Sequence, residues 1–146
     1  MPTKKILIPQ EDNPSVQPRF NQIILIDDSE IDLFINQAII KTISLTQEII
    51  TTSEPADVLN QLTNTSLLSD IPELIFLDMD MKSMSGFTFL EEFSKLSDFV
   101  KSKCKIVITT SSQIKEEKLK ALMHPSVIRY FVKPLDVSHL RDFMFS

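Results

Sequence analysis

The chain has 146 residues, 42% of them apolar and 24% charged, with a formal net charge of −5. That is one domain's worth of chain with enough apolar material for a core, and the acidic balance argues against a nucleic-acid or anionic-membrane surface, which clustered Lys and Arg would supply. The single glycine, Gly86, excludes Gly-rich nucleotide loops, and the single cysteine, Cys104, excludes an internal disulfide or a paired-Cys zinc site.

Four of the eight prolines, Pro2, Pro9, Pro14 and Pro18, open the chain. Proline withholds a backbone donor, so residues 1–19 are expected to form a flexible tail outside a domain spanning 20–146. The apolar part of MPTKKILIPQEDN is too short for a signal peptide. No run reaches the ~18–20 apolar residues of a membrane helix. With no disulfide to maintain, a cytoplasmic location is expected.

From residue 20 the pattern alternates. NQIILI (21–26) reads as a buried strand. Residues 29–43 read as a helix with an apolar stripe of Ile31, Phe34, Ile35, Ala38 and Ile39, capped by Ser29 with Asp32 three residues on. QEIITT (47–52) is a second strand and 55–62 a short helix, with Pro55 in its first turn. Residues 63–70 form a polar loop. ELIFLD (73–78) is the most apolar strand. A helix follows Gly86 through FTFLEEFSKL, and Phe87, Phe89, Phe93 and Phe99 are expected in the core. CKIVIT (104–109), KEEKLKALM (115–123), IRYFV (128–132) and VSHLRDFMF (137–145) complete the series, with Cys104 buried. Five strands alternating with five helices imply parallel neighbours and right-handed crossovers, hence an α/β three-layer sandwich.

In such folds, ligands bind beyond the carboxyl ends of the strands. There the first strand ends in Asp27 and Asp28, the third in Asp78 with Asp80 two residues on, the fourth in Thr109, Thr110, Ser111 and Ser112, and the fifth in Lys133 and Pro134. Crowded carboxylates repel unless a cation intervenes, and oxygen ligands of this kind suit Mg²⁺. A carboxylate nucleophile, a metal, an ammonium and a hydroxyl are the parts that phosphoryl transfer needs. Asp78, at the end of the central strand, is the candidate nucleophile. A lone Asp after a strand is ordinarily a turn or cap residue, but four strands of one sheet ending in complementary groups form a stronger pattern.

The chain resembles the receiver domains of two-component response regulators. The residues that carry the resemblance are IILIDDS, LIFLDMDMKSMSG, ITTSS and YFVKP, in that order. Met81 stands three after the phosphoacceptor, Gly86 eight after it, and Tyr130 three before the lysine. The resemblance implies a flavodoxin-like, five-stranded parallel sheet of order 2-1-3-4-5. It implies that Asp78 accepts a phosphoryl group from a sensor histidine kinase or a histidine phosphotransfer protein. Asp28 and Asp78 would bind Mg²⁺ by their side chains, Asp80 by its carbonyl, and Asp27 indirectly. Lys133 and Thr110 would contact the phosphoryl group, and Lys133–Pro134 would be cis. Thr110 and Tyr130 would switch the surface of the fourth helix, fifth strand and fifth helix, where an unknown downstream protein reads it. Asp80 and Ser112 would tune the lifetime of the aspartyl phosphate.

The resemblance further implies a single-domain, chemotaxis-regulator-like signalling protein with no DNA-binding output, a monomer or weak dimer. It would phosphorylate and slowly dephosphorylate itself rather than turn over substrate as an enzyme. Two positions depart from the family pattern: Lys82 replaces the usual Pro, and Ser85 the usual Asp or Asn. His124 and His139 are expected at surface or cap positions. Two alternatives stand beside this reading. LIFLDMDMK also fits the DxDx nucleophile strand of haloacid-dehalogenase-like phosphatases, although the acidic pair precedes it here. A degenerate receiver would act only as an interaction module.

Overall fold

The computed structural model describes residues 3–8 and 18–145. Five strands form the parallel part of one sheet: β2 (Phe20–Ile26), β3 (Thr46–Thr52), β4 (Leu74–Asp78), β5 (Lys105–Thr110) and β6 (Val127–Val132). Their order is β3-β2-β4-β5-β6, the flavodoxin-like arrangement that the resemblance implies.

One further strand was not expected. Lys4–Leu7 forms β1, which adds to the open edge of β3 in antiparallel register, Lys4 opposite Thr51 and Leu7 opposite Glu48. The sheet therefore has six strands, and part of the predicted tail belongs to it. An unpaired edge exposes a row of backbone donors and acceptors, and KKIL supplies them with partners while keeping two lysines on the rim. Pro2, Pro9 and Pro14, on which the tail expectation rested, lie outside the described residues.

Period-two alternation sorts the strand side chains into two cores. Ile24 and Ile26 of β2, Ile75 and Leu77 of β4, and Ile106 and Ile108 of β5 face one side. There they meet α2 (Pro55–Thr63), α3 (Gly86–Ser94), α4 (Asp98–Lys103) and α5 (Lys115–Leu122) through Leu62, Phe93, Val100 and Ala121. Ile23, Leu25, Leu74, Phe76 and Val107 face the other side, against Leu33 and Ile40 of α1 (Glu30–Thr42) and Leu140 and Met144 of α6 (Val137–Phe145). All five residues of β4 are buried, as befits the middle of the sheet.

Three local expectations change. Most of the stripe chosen for α1 faces outward: Ile31, Phe34, Ile35 and Ala38 are exposed, Ile39 packs partly against the core, and the helix buries Leu33, Asn36 and Ile40. The helix is apolar on most of its circumference, so periodicity alone finds an arc without saying which arc the sheet covers. The expected cap holds, since the Ser29 side chain accepts from the Asp32 N–H. The helix after Gly86 stops at Ser94, and a separate helix, α4, starts behind Ser97, whose hydroxyl accepts from the Val100 N–H. Phe99 lies on that helix and is exposed, whereas Phe89 and Phe93 are fully buried and Phe87 packs against the core. The loop at 63–70 closes with a 3-10 turn at Leu68–Asp70. Cys104 is fully buried, as expected.

Candidate functional site

The parallel register brings the strand ends to one rim. Asp78 pairs with Thr109 and Thr110 with Val132, so the residues that follow β4, β5 and β6 emerge together. Asp27 follows β2 directly and is buried. Its N–H donates to the Thr52 carbonyl at 3.1 Å, and its Oδ1 accepts from the Ser29 N–H at 2.9 Å. These contacts leave Oδ2 turned to Lys133, 3.0 Å away. Asp28 is exposed on the crevice wall, where its Oδ2 accepts from the Lys82 N–H at 2.9 Å. The proline that the resemblance would place at 82 has no N–H to offer, so this departure carries a contact of its own. Asp78 is buried at the tip of β4, with Oδ1 3.3 Å from Lys133 Nζ and 3.3 Å from the Asp80 nitrogen, whose hydrogen it accepts.

Side-chain oxygens of Asp27, Asp28 and Asp78 all lie within 4.8 Å of one another. Burial first, and then the neighbouring Asp27 charge, push the Asp78 carboxyl up to about 6, although Lys133 opposes the shift. A cluster of hard oxygen donors whose mutual repulsion resists ionisation is what a divalent cation relieves, so the donor set fits Mg²⁺. Burial acts against the Lys133 ammonium, yet hydrogen bonds to Asp32 and Asp27 and the charges of Asp27 and Asp78 raise its pKa above the usual lysine value. An open groove of about 470 Å³, lined by Asp28, Ser29, Ser53, Glu54, Lys82 and Ser83, leads to the cluster.

One acidic partner was read from the sequence only as a helix cap. Asp32, in the first turn of α1, holds Lys133 Nζ at 2.8 Å, the shortest of that lysine's three carboxylate contacts. The signal was present in DDSEID: one helical turn after the acidic pair, a third Asp returns to the same rim. Thr110 and Asp80 also reach the site, but they engage each other. Thr110 Oγ1 donates to Asp80 Oδ2 at 3.2 Å and accepts from the Ser112 N–H at 3.1 Å. Ser111 Oγ donates to the same Asp80 oxygen at 3.2 Å. Tyr130 is buried, and its hydroxyl donates to the Ser112 carbonyl at 3.5 Å. Lys133–Pro134 is cis. His124 and His139 make local contacts, although His139 shares a groove with Lys133. The His124 Nδ1 accepts from the Ser126 N–H, and the His139 N–H donates to Asp136 at the start of α6.

Gly86 is explained by sterics rather than by φ. A Cβ there would stand 2.3 Å from Met79 Sδ and 2.7 Å from Met79 Cα. The close approach lets the Gly86 N–H donate to the Met79 carbonyl at 3.1 Å, which folds the loop after Asp78 back onto the strand. Ser85 caps α3 by accepting from the Thr88 N–H, the role a short polar residue plays at that position.

Fold and rim define a flavodoxin-like α/β protein with an acidic crevice, backed by one lysine, at the carboxyl ends of its strands. Residues 23–144 match the family model of the response regulator receiver domain, and the chain belongs to that family. Among solved structures it is similar to a response regulator receiver protein from Dyadobacter fermentans, at 27% identity and TM-score 0.73, covering 84% of this chain and 93% of that one. It is also similar to a two-component response regulator from Cytophaga hutchinsonii, at 25% identity and TM-score 0.74, covering 85% and 93%. The receiver domain of a sensor histidine kinase from Pseudomonas aeruginosa shares the fold at 12% identity and TM-score 0.67, covering 85% and 93%. No curated protein matches the chain.

Proposed function

We propose that the chain is a two-component receiver that takes a phosphoryl group onto Asp78 from the phosphohistidine of a sensor kinase or phosphotransfer protein. The observation that carries this reading is the meeting of Asp27, Asp28 and Asp78 within 4.8 Å, with Lys133 bridging two of them. A carboxylate oxygen of Asp78 attacks phosphorus, the P–N bond to the imidazole breaks, and the imidazole leaves with the bonding electrons. Asp27, Asp28, Asp78 and the Asp80 carbonyl would hold Mg²⁺, which offsets the negative charge of the transferring group when bound. The Pseudomonas receiver has magnesium in its active-site cleft, which supports that assignment.

Lys133 contributes a fixed positive charge for a phosphoryl oxygen, and Thr110 a hydroxyl donor. The exposed Ile31, Phe34 and Ile35, on the helix that also carries Asp32, offer an apolar contact for the phosphodonor beside the crevice. The added charge of about −1.5 to −2 redirects Thr110, and the chain through Ser112 to Tyr130 carries the change to the surface of α5, β6 and α6. Asp80 and Ser112 tune how long the phosphoryl group survives. The folded unit, with β1 added to its sheet, acts as one cytoplasmic signalling domain, a monomer or weak dimer. Among the described residues no helix is long and apolar enough to cross a membrane. The family's members are generally switches rather than turnover enzymes, which favours this reading over the haloacid-dehalogenase-like alternative.

Incubation with a small acyl phosphate and Mg²⁺, followed by intact mass, tests the proposal. One added phosphoryl group is expected, lost in Asp78→Asn and with chelator. An unchanged mass from folded protein would overturn it and favour the interaction-module alternative. Continuous turnover of a generic phosphate monoester would favour the phosphatase.

A further inference from the structure

The two groups that would recognise a phosphoryl group, the Lys133 ammonium and the Thr110 hydroxyl, are each already engaged by a carboxylate outside the three-Asp cluster. Asp32 Oδ2 stands 2.8 Å from Lys133 Nζ, and Asp80 Oδ2 accepts from Thr110 Oγ1 at 3.2 Å. We propose that Asp32 and Asp80 are placeholder anions: they satisfy Lys133 and Thr110 while Asp78 is unmodified, and they set how strongly a phosphoryl group must compete for those partners. The inference rests on the receiver reading and goes beyond it by assigning two positioning residues.

The physical need is plain. Thr110 is 1% exposed, and the Lys133 side chain is largely covered. A buried hydroxyl or ammonium without an acceptor is costly, so the unmodified protein must provide one. Asp27 and Asp78 also face Lys133, at 3.0 and 3.3 Å, but both belong to the oxygen cluster that fits the cation. Asp32 differs from them in accessibility. Its side chain is 33% exposed, against 3% for each of the other two, so it can turn into water when a phosphoryl oxygen takes its place.

Asp80 is exposed in the same way. Its carboxylate collects two hydroxyls, from Thr110 and Ser111, on one oxygen. That pair of bonds ties the start of the β5–α5 loop to the loop after β4. A phosphoryl group on Asp78 brings new acceptor oxygens and negative charge beside Asp80. Thr110 then exchanges one acceptor for another, and the repulsion between the two anions favours the exchange. Both placeholders therefore act in one direction: their negative charge holds the unmodified arrangement and opposes the modified one.

The test uses the full chain at saturating magnesium, with beryllofluoride as probe, which coordinates a carboxylate oxygen and imitates a bound phosphoryl group. Affinity is read by titration calorimetry, and the Ser112 amide resonance reports Thr110, to which that N–H is bonded. Asp32→Asn and Asp80→Asn are each expected to tighten binding about tenfold, and together by roughly the product, since they act on different partners. Asp80→Asn leaves the backbone carbonyl untouched, and Asp32→Glu, which keeps the charge, is expected to restore wild-type affinity. Asp142→Asn on α6 controls for loss of charge elsewhere and is expected to leave affinity within about twofold. Equal or weaker binding in both Asn variants, with thermal melting unchanged, overturns the placeholder assignment while leaving the receiver reading intact. Failure of the wild-type chain to bind the probe at Asp78 overturns both.

Discussion

The sheet body and its rim are built by the same strands but obey opposite rules. Through the middle of β2, β4 and β5, at 23–26, 74–77 and 106–108, every side chain is apolar and buried, and burial stabilises the fold. At the strand ends Asp27 and Asp78 are buried carboxylates beside the largely covered Lys133, and the crowding of the two carboxylates works against their ionisation unless a further cation joins them. The contrast teaches that this protein concentrates its electrostatic strain at one edge and supports it with an apolar platform.

The sharpest way to separate the two regions is Asp78→Asn. It is expected to reduce labelling by acyl phosphate from one group per chain to none by intact mass, while the fold survives. Phe93→Ala probes the opposite region. Phe93 is fully buried and stacks on Phe89 at a centroid distance of 6.2 Å. Truncation is expected to cost about 3–5 kcal/mol in urea unfolding, with Mg²⁺-dependent labelling retained wherever the chain stays folded. Gly86→Ala couples the two regions, because the new Cβ would strike Met79, the residue after Asp78. A loss of about 1–3 kcal/mol is expected, together with slower labelling, since Met79 must shift.

A subtler difference appears with pH. Asp78 is raised from 3.8 to about 6, so the folded chain keeps a proton that the unfolded chain has already lost. Its contribution to stability is full below pH 3.8 and lost as pH rises through about 6. In metal-free buffer, Asp78→Asn should therefore melt progressively higher than wild type as pH goes from 4 to 6.5, and Mg²⁺ should narrow the gap; a gap independent of pH would refute the crowding account. The smallest effect concerns Cys104. Burial pushes its thiol up to about 12, so it should resist a thiol reagent at pH 8 until denaturant is added.

Much of the site was legible because strand ends announce themselves: an apolar run stops, and the residues just past it must reach the rim of a parallel sheet. Asp27, Asp28, Asp78 and Lys133 were read that way, with a run of hydroxyls from which the resemblance selected Thr110, and the spacing of Gly86 from Asp78 belonged to the resemblance too. Asp32 was visible as a cap but not as a partner of Lys133, because a contact across 101 residues depends on how α1 is laid on the sheet. The outward stripe of Ile31, Phe34 and Ile35 was misplaced for the same reason. The β1 strand was missed because edge pairing is decided by a neighbour's open hydrogen bonds rather than by four residues' own preference.

Chain order, hydrophobic period and the chemistry at strand ends are local properties, and they alone determined the layered α/β class and the identity of the acidic and basic tips. Which face of α1 is covered, what pairs with the edge of β3, and which carboxylates hold Lys133 and Thr110 were decided only by the assembled tertiary structure. Each of those depends on distances between segments far apart in the chain, which no local pattern encodes.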